Sequence, residues 1–229
     1  MTQVEAQGAV GPDVLQDGSP ATMRLGRQGE QVVTELHGRF FEQNFRGYVF
    51  SDGMASTSIS NATFTTATVG ATATPITGVW NPSTSPVNLV ILQATLSVSQ
   101  TALQATGPGA FAWMTSVGNA GLTLGSTPLN RKSLVQSGSF AKGLSGIALT
   151  GLTTNLATRF ASSLGGGSAI GVAFLATQAG AQTVQAPANV ENFDGGLIVP
   201  PGGIIALMCS ITPVGHSAAS GIMWEEVPI

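Results

Sequence analysis

The run Val87-Asn88-Leu89-Val90-Ile91-Leu92-Gln93-Ala94-Thr95-Leu96-Ser97-Val98 decides the fold class. It follows the turn-forming Asn81-Pro82-Ser83-Thr84-Ser85-Pro86, and its β-branched and apolar residues read as a long strand. Asn88 and Gln93 interrupt it. A membrane-spanning helix needs roughly 18 or more consecutive apolar residues, so it is not one. The other apolar stretch, residues 195–211, is broken by Pro200, Pro201 and paired glycines. Outward from this run the pattern repeats. Residues 57–69 are rich in Thr and alternate in places, and residues 110–117, 169–177, 183–186, 196–199, 204–211 and 221–227 are further short strand candidates. Gly107-Pro108-Gly109, Gly165-Gly166-Gly167, Pro200-Pro201-Gly202-Gly203 and Pro213-Val214-Gly215 separate them. Short strands punctuated by Gly/Pro turns predict an all-β sandwich or barrel.

Two regions depart from this rhythm. Residues 118–167 form a loop-rich mid-chain insertion. Leu152, Leu156, Phe160 and Leu164 recur every four residues, as on a helix face, but Gly143, Gly146 and Gly151 interrupt and Thr150, Thr153 and Thr154 are poor helix formers. The expectation is a long surface loop with room for one short helix, of a length that is often functional. Residues 1–52 read as an extended charged arm. Its first twenty residues carry Gly8, Gly11, Pro12, Gly18 and Pro20, and strands are predicted over residues 31–36 and 39–50. Phe40, Phe41, Phe45, Tyr48 and Phe50 place five of the chain's eleven Phe and Tyr residues there.

The division is sharpest in charge. Of 229 residues only 8% are Asp, Glu, Lys or Arg, against about 25% in an ordinary soluble domain. Residues 1–52 hold eleven of the nineteen charges, residues 53–130 none, and residues 131–229 eight. The arm is net −3 and the body, residues 53–229, net zero. A moderately apolar, charge-poor chain is not intrinsically disordered. Arg131-Lys132 is the only adjacent basic pair, too little for a nucleic-acid backbone. Met1–Val10 has neither a basic nor an apolar segment of a secretory signal, so none is expected.

Chemistry-bearing patterns are sparse. His37, His216 and Cys209 form no local metal-ligand motif, and no metal or other cofactor is expected. Cys209 sits in an apolar run and reads as a small core residue. No Gly-x-Ser-x-Gly elbow leads into a helix, and residues 125–133 fail as a phosphate loop because Asn130-Arg131 stands where a glycine is needed. The chain is therefore not expected to be an enzyme. Glu225-Glu226 is the one carboxylate pair, but neighbours on a strand point to opposite faces. The expectation there is a solvated edge with one carboxylate paired across an interface. Asn61-Ala62-Thr63 matches a glycosylation sequon by chance. A surface wetted by Thr, Ser, Gln and Asn can lie against copies of itself without desolvating ions. Wide oligomeric contact is thus predicted, with Trp80, Trp113, Trp224 and Glu225 as interface candidates.

Residues 23–33 (Met-Arg-Leu-Gly-Arg-Gln-Gly-Glu-Gln-Val-Val), His37-Gly38-Arg39-Phe40-Phe41-Glu42 and Arg46-Gly47-Tyr48-Val49-Phe50 resemble the start of virion structural proteins of tailed bacteriophages. Val79-Trp80-Asn81-Pro82-Ser83, and the end from Leu197-Ile198-Val199-Pro200-Pro201-Gly202-Gly203 through Met223-Trp224-Glu225-Glu226-Val227-Pro228, also fit. The Pro-Pro-Gly-Gly turn is similar to the late hairpin of jelly-roll proteins. The resemblance implies a capsid decoration or cement protein on the virion surface, made in the host cytoplasm: a jelly-roll homo-oligomer, by family habit a trimer, with no nucleic-acid or membrane partner. Arg24, Arg27, Glu30, Arg39, Phe40, Phe41 and Arg46 of the arm would bind the major capsid protein. A phage tail, baseplate or receptor-binding component is the alternative, followed by a cellular β-sandwich binding module or a hydrolase with a dispersed site.

Overall fold

The computed structural model describes residues 40–58, 68–70, 73–100, 110–119, 121–136, 138–161, 189–210 and 216–229. The chain divides into two compact units, Met1–Glu42 and Gln43–Ile229. Residues 1–39 lie outside the description. So do the strand candidates at 31–36, 169–177 and 183–186, and the sequon.

The second unit is an all-β, jelly-roll-like sandwich. Its strands are β1 (Val49–Ser58), β2 (Thr68–Val69), β3 (Thr77–Trp80), β4 (Val87–Gln100), β5 (Phe111–Ser116), β6 (Leu129–Asn130), β7 (Lys142–Gly143), β8 (Leu156–Ala161), β9 (Asn189–Val199), β10 (Ile204–Cys209) and β11 (His216–Pro228). One sheet has the order β6-β1-β11-β4-β9 and the other β2-β8-β5-β10-β3-β7, with every pairing antiparallel. The main partners are nested: β1 with β11, β3 with β10, β4 with β9, β5 with β8. Successive pairs alternate between the sheets, as when one long antiparallel ribbon is rolled up. That is jelly-roll wiring.

The sequence of β4 explains its place between β11 and β9. Val87, Leu89 and Ile91 are buried at odd positions, and Ala94 and Leu96 at even ones. The phase slips at Leu92, where the register with β11 jumps from Met223↔Gln93 to Trp224↔Ile91. A bulge keeps the apolar face inward on both sides of the slip. The inter-sheet core then gathers Phe50, Leu89, Ile91, Leu96, Trp113, Ile205, Leu207, Ile222 and Trp224.

The six-stranded sheet is buried on both faces. In β10, Ile205, Leu207 and Cys209 face the inter-sheet core, whereas Ile204, Ala206 and Met208 face a second cluster with Trp80, Met114, Leu144, Leu149 and Leu156. Leu122 and Leu152 pack against that cluster. The mid-chain insertion is therefore not a surface loop: its leucines roof the sheet. Nor does it hold the expected helix among its described residues. Leu156 begins β8, and no helix runs through Leu152. The same excursion also supplies β6 to the edge of β1 and β7 to the edge of β3, shielding two strand edges from pairing with other chains.

Three further expectations change. Residues 39–50 are not one strand. Phe41–Arg46 forms α1, a helix of Glu, Gln and Asn between aromatics. It ends where Gly47 adopts φ +84°, with Tyr48 N–H donating to Gln43 O and Gly47 N–H to Asn44 O. This paired closure is the usual helix stop at a left-handed glycine. Secondly, an arm ending at residue 52 would cut β1 in half. That strand pairs with β11 from Val49 onward, so it belongs to the body. Thirdly, Pro200-Pro201-Gly202-Gly203 does not close a hairpin. Gly203 N–H donates to Pro200 O and Gly202 has φ +77°, as expected for a turn with Pro second and Gly third. Yet β9 and β10 belong to different sheets, so this turn carries the chain across the sandwich.

Two buried asparagines fasten that end. Asn81 Nδ2 donates to Val87 O at 2.8 Å and to Val199 O at 3.0 Å, while its backbone pairs with Gly202 and Gly203. Asn119 Nδ2 donates to Ser116 Oγ, and its Oδ1 accepts from Thr153 N, Thr153 Oγ1 and Thr154 N.

Candidate functional site

The outer face of the five-stranded sheet carries a groove of about 370 Å³. Two rungs of neighbouring strands make its floor: Ser51–Met223–Gln93 and Gly53–Gly221–Thr95, across β1, β11 and β4. Opposed glycines within a sheet are costly, because each loses much backbone freedom and brings no side chain to pack. Here they leave a bare strip. A Cβ on Gly221 would stand 3.2 Å from Thr95 Oγ1.

The wall is the turn after β6, with Leu129, Arg131 and Gln136 on the groove. Asn130 makes this turn rigid. Its Oδ1 accepts from Lys132 N and Ser133 N, its Nδ2 donates to Gly47 O, and its backbone N–H donates to Val135 O. Arg131 N–H donates to Val49 O, which pins the wall to β1. Among the described residues of the lining, Arg131 and Asp52 are the ionic ones. Asp52 is committed elsewhere, accepting from Ser126 Oγ and from Ser145 N. Gln93 Nε2 donates to Asn192 Oδ1 beside the floor. The groove is thus neutral and polar with one cation on its rim.

The next outward rung is Val49–Glu225–Val90. Partial burial beside these two valines raises the Glu225 carboxyl above its usual value. The folded state then holds the proton more tightly than the unfolded chain does. Stability therefore falls as pH rises from the ordinary glutamate range through the raised value. Glu225→Gln is expected to raise the melting temperature at pH 7 and to leave it nearly unchanged at pH 4, as thermal melts at the two pH values will register.

A patch of large apolar side chains lies beside the wall. Phe45, Tyr48, Leu134 and Val135 are 62%, 48%, 73% and 56% exposed. Lys132 Nζ sits 5.1 Å from the centre of the Phe45 ring.

The predicted site residues are scattered. Arg24, Arg27, Glu30, Arg39 and His37 lie outside the described residues. Phe40 takes a left-handed φ of 65°, Phe41 is exposed at the start of α1, and Arg46 is exposed in its last turn. Trp113 and Trp224 are completely buried and Trp80 nearly so. All three are core residues of the protomer, so they cannot anchor contacts between protomers. Trp113 Nε1 donates to Glu191 Oε2 at 2.9 Å, and its ring meets Phe193 edge-on. Glu226 is buried and accepts from Ser139 Oγ, Phe140 N and Ala141 N within the chain, not from a neighbour. Glu225 remains partly exposed on the opposite face. Cys209, the chain's single cysteine, is buried, and so is His216. Among the described residues no three His, Cys, Asp or Glu side chains gather as a metal site, and no helix is long and apolar enough to cross a membrane.

Sequence reasoning did not single out Ser51, Gly53, Gln93, Thr95 or Gly221. The two strand-interior glycines were the available signal. No known protein family, curated protein or solved structure matches this chain.

Proposed function

We propose that the chain is a virion structural protein that sits on the outside of a tailed-phage capsid and stabilises it. The charged N-terminal region contacts the major capsid protein, and the β body associates with copies of itself, in the proposed trimer. The observation that supports this reading is the exposed patch of Phe45, Tyr48, Leu134 and Val135. Phe45 and Tyr48 follow in sequence directly on the charged first 42 residues. Large exposed apolar side chains on a helix end and a neighbouring turn, with few charges to desolvate, suit protein docking. Many copies on a shell add stability through avidity without any chemistry.

The test is binding of purified protein to heads that lack it. Deleting residues 1–30 is expected to leave a folded oligomer that no longer decorates heads. Full occupancy by the truncated protein overturns the proposal. Sedimentation of the isolated protein gives the oligomer number.

A further inference from the structure

We propose that the groove over Gly53 and Gly221 is a binding site for a saccharide that carries a carboxylate. The inference does not depend on where in a particle the chain sits. Three features of the groove carry it.

The floor is shaped for close approach. Two opposed glycines clear a strip across β1 and β11: at Gly53 the β11 backbone leaves no room for a Cβ, which would meet Ser220 O, and at Gly221 a Cβ would stand 3.2 Å from Thr95 Oγ1. A volume of about 370 Å³ holds a ligand of one or two sugar rings.

The lining fits hydroxyl groups. Ser51, Thr95, Thr127, Gln93 and Gln136 are neutral donors and acceptors, and Met223 and Leu129 offer apolar surface to the C–H face of a ring. An apolar ligand would strip water from these polar groups and leave them unpaired. A hydroxyl-rich one replaces that water bond for bond.

One cation is placed in advance. Arg131 stands on a turn fixed by Asn130 and by its own bond to Val49, and its guanidinium has no partner among the described residues. A guanidinium takes a carboxylate through two parallel hydrogen bonds. The other ionic residue of the lining, Asp52, alternates on β1 with Ser51 and Gly53, so its carboxylate is directed to the opposite face of the sheet, where it accepts from Ser126 Oγ and Ser145 N.

The test titrates the full chain with D-glucuronate, D-glucose and glutarate, followed by ligand-observed NMR. Glucuronate is expected to bind with Kd on the order of 1 mM. Glucose should bind more weakly, and glutarate, which lacks the hydroxyls, hardly at all. Arg131→Gln changes an exposed side chain and leaves the fold intact. It should weaken glucuronate about tenfold, the loss of one charge-assisted contact, without affecting glucose. Gly221→Val fills the floor and should remove both. If that variant does not fold, Gln136→Ala on the exposed wall takes its place and should weaken both sugars. No glucuronate binding up to about 50 mM overturns the proposal. So does glutarate binding as tightly as glucuronate, which marks a bare anion site. Binding untouched by Arg131→Gln, or a groove closed by self-association that the sugars do not disturb, overturns it as well.

Discussion

Trp224→Ala is expected to lower the unfolding free energy by about 3–5 kcal/mol, and by the same amount at every protein concentration. Trp224 is wholly buried near the end of β11, the central strand of its sheet, and it belongs to the inter-sheet core with Ile91 and Phe50. Truncation leaves a cavity that these β strands cannot collapse into, because their positions are fixed by ladders on both sides. A tryptophan at a protomer interface would behave differently, its loss growing on dilution. Denaturant unfolding at two concentrations separates the cases, and a concentration-dependent loss would return Trp224 to an interface role. Phenylalanine sharpens the test. Trp224 Nε1 has no hydrogen-bond partner among the described residues, so Trp224→Phe forfeits volume alone. Trp113→Phe also removes a donor from the buried Glu191 carboxylate. It should cost about 1.5–3 kcal/mol more than the first, the usual range for a bond to a charged group.

Asn119→Ala is expected to cost about 2–4 kcal/mol, from several bonds of one buried side chain lost at once. One carboxamide oxygen accepts two backbone amides and a hydroxyl from Thr153 and Thr154, and the amide nitrogen holds Ser116 at the end of β5. Alanine leaves those amides without their acceptor, at the half-buried rim of the site. The damage should be local as well as global. Hydrogen exchange at Thr153 and Thr154 should accelerate well before that of β10, whose amides pair on both sides. Unchanged protection at these two residues would show that the turn is held by something else.

What the sequence discloses about this fold depends on which residues face which neighbour. The strand at residues 87–98 is legible because alternation and β-branching are local properties, and they survive even the bulge at Leu92. The uninterrupted run Ile204–Cys209 held more than a strand. A strand that does not alternate is covered on both faces, and its cover is the leucine-bearing insertion, 118–167. That link spans the sequence, so no window around either segment displays it. The aromatics of residues 40–50 suggested a strand, whereas the helix stop at Gly47 set the outcome. Tryptophan content alone cannot distinguish a core from an interface, since both bury rings. The groove is hidden from the sequence for the same reason as the roof. Gly53 and Gly221 are unremarkable apart, and their meaning comes from being opposite one another.

The nested pairing has a consequence for how the protein is made. The five-stranded sheet is built around β11, which sits between β1 and β4. Both neighbours leave the ribosome more than a hundred residues before it does. Until then Val49–Ser58 and Val87–Gln100 have an empty slot between them, with their inner apolar face and their ladder groups waiting. Folding dominated by such distant partners is slow, and unpaired edges invite the wrong strand. The near absence of charge, so suitable for seating against other copies, removes the repulsion that keeps nascent chains apart. This protein is thus most vulnerable to aggregation during its synthesis, and a chain stopped anywhere before His216 should accumulate as insoluble material.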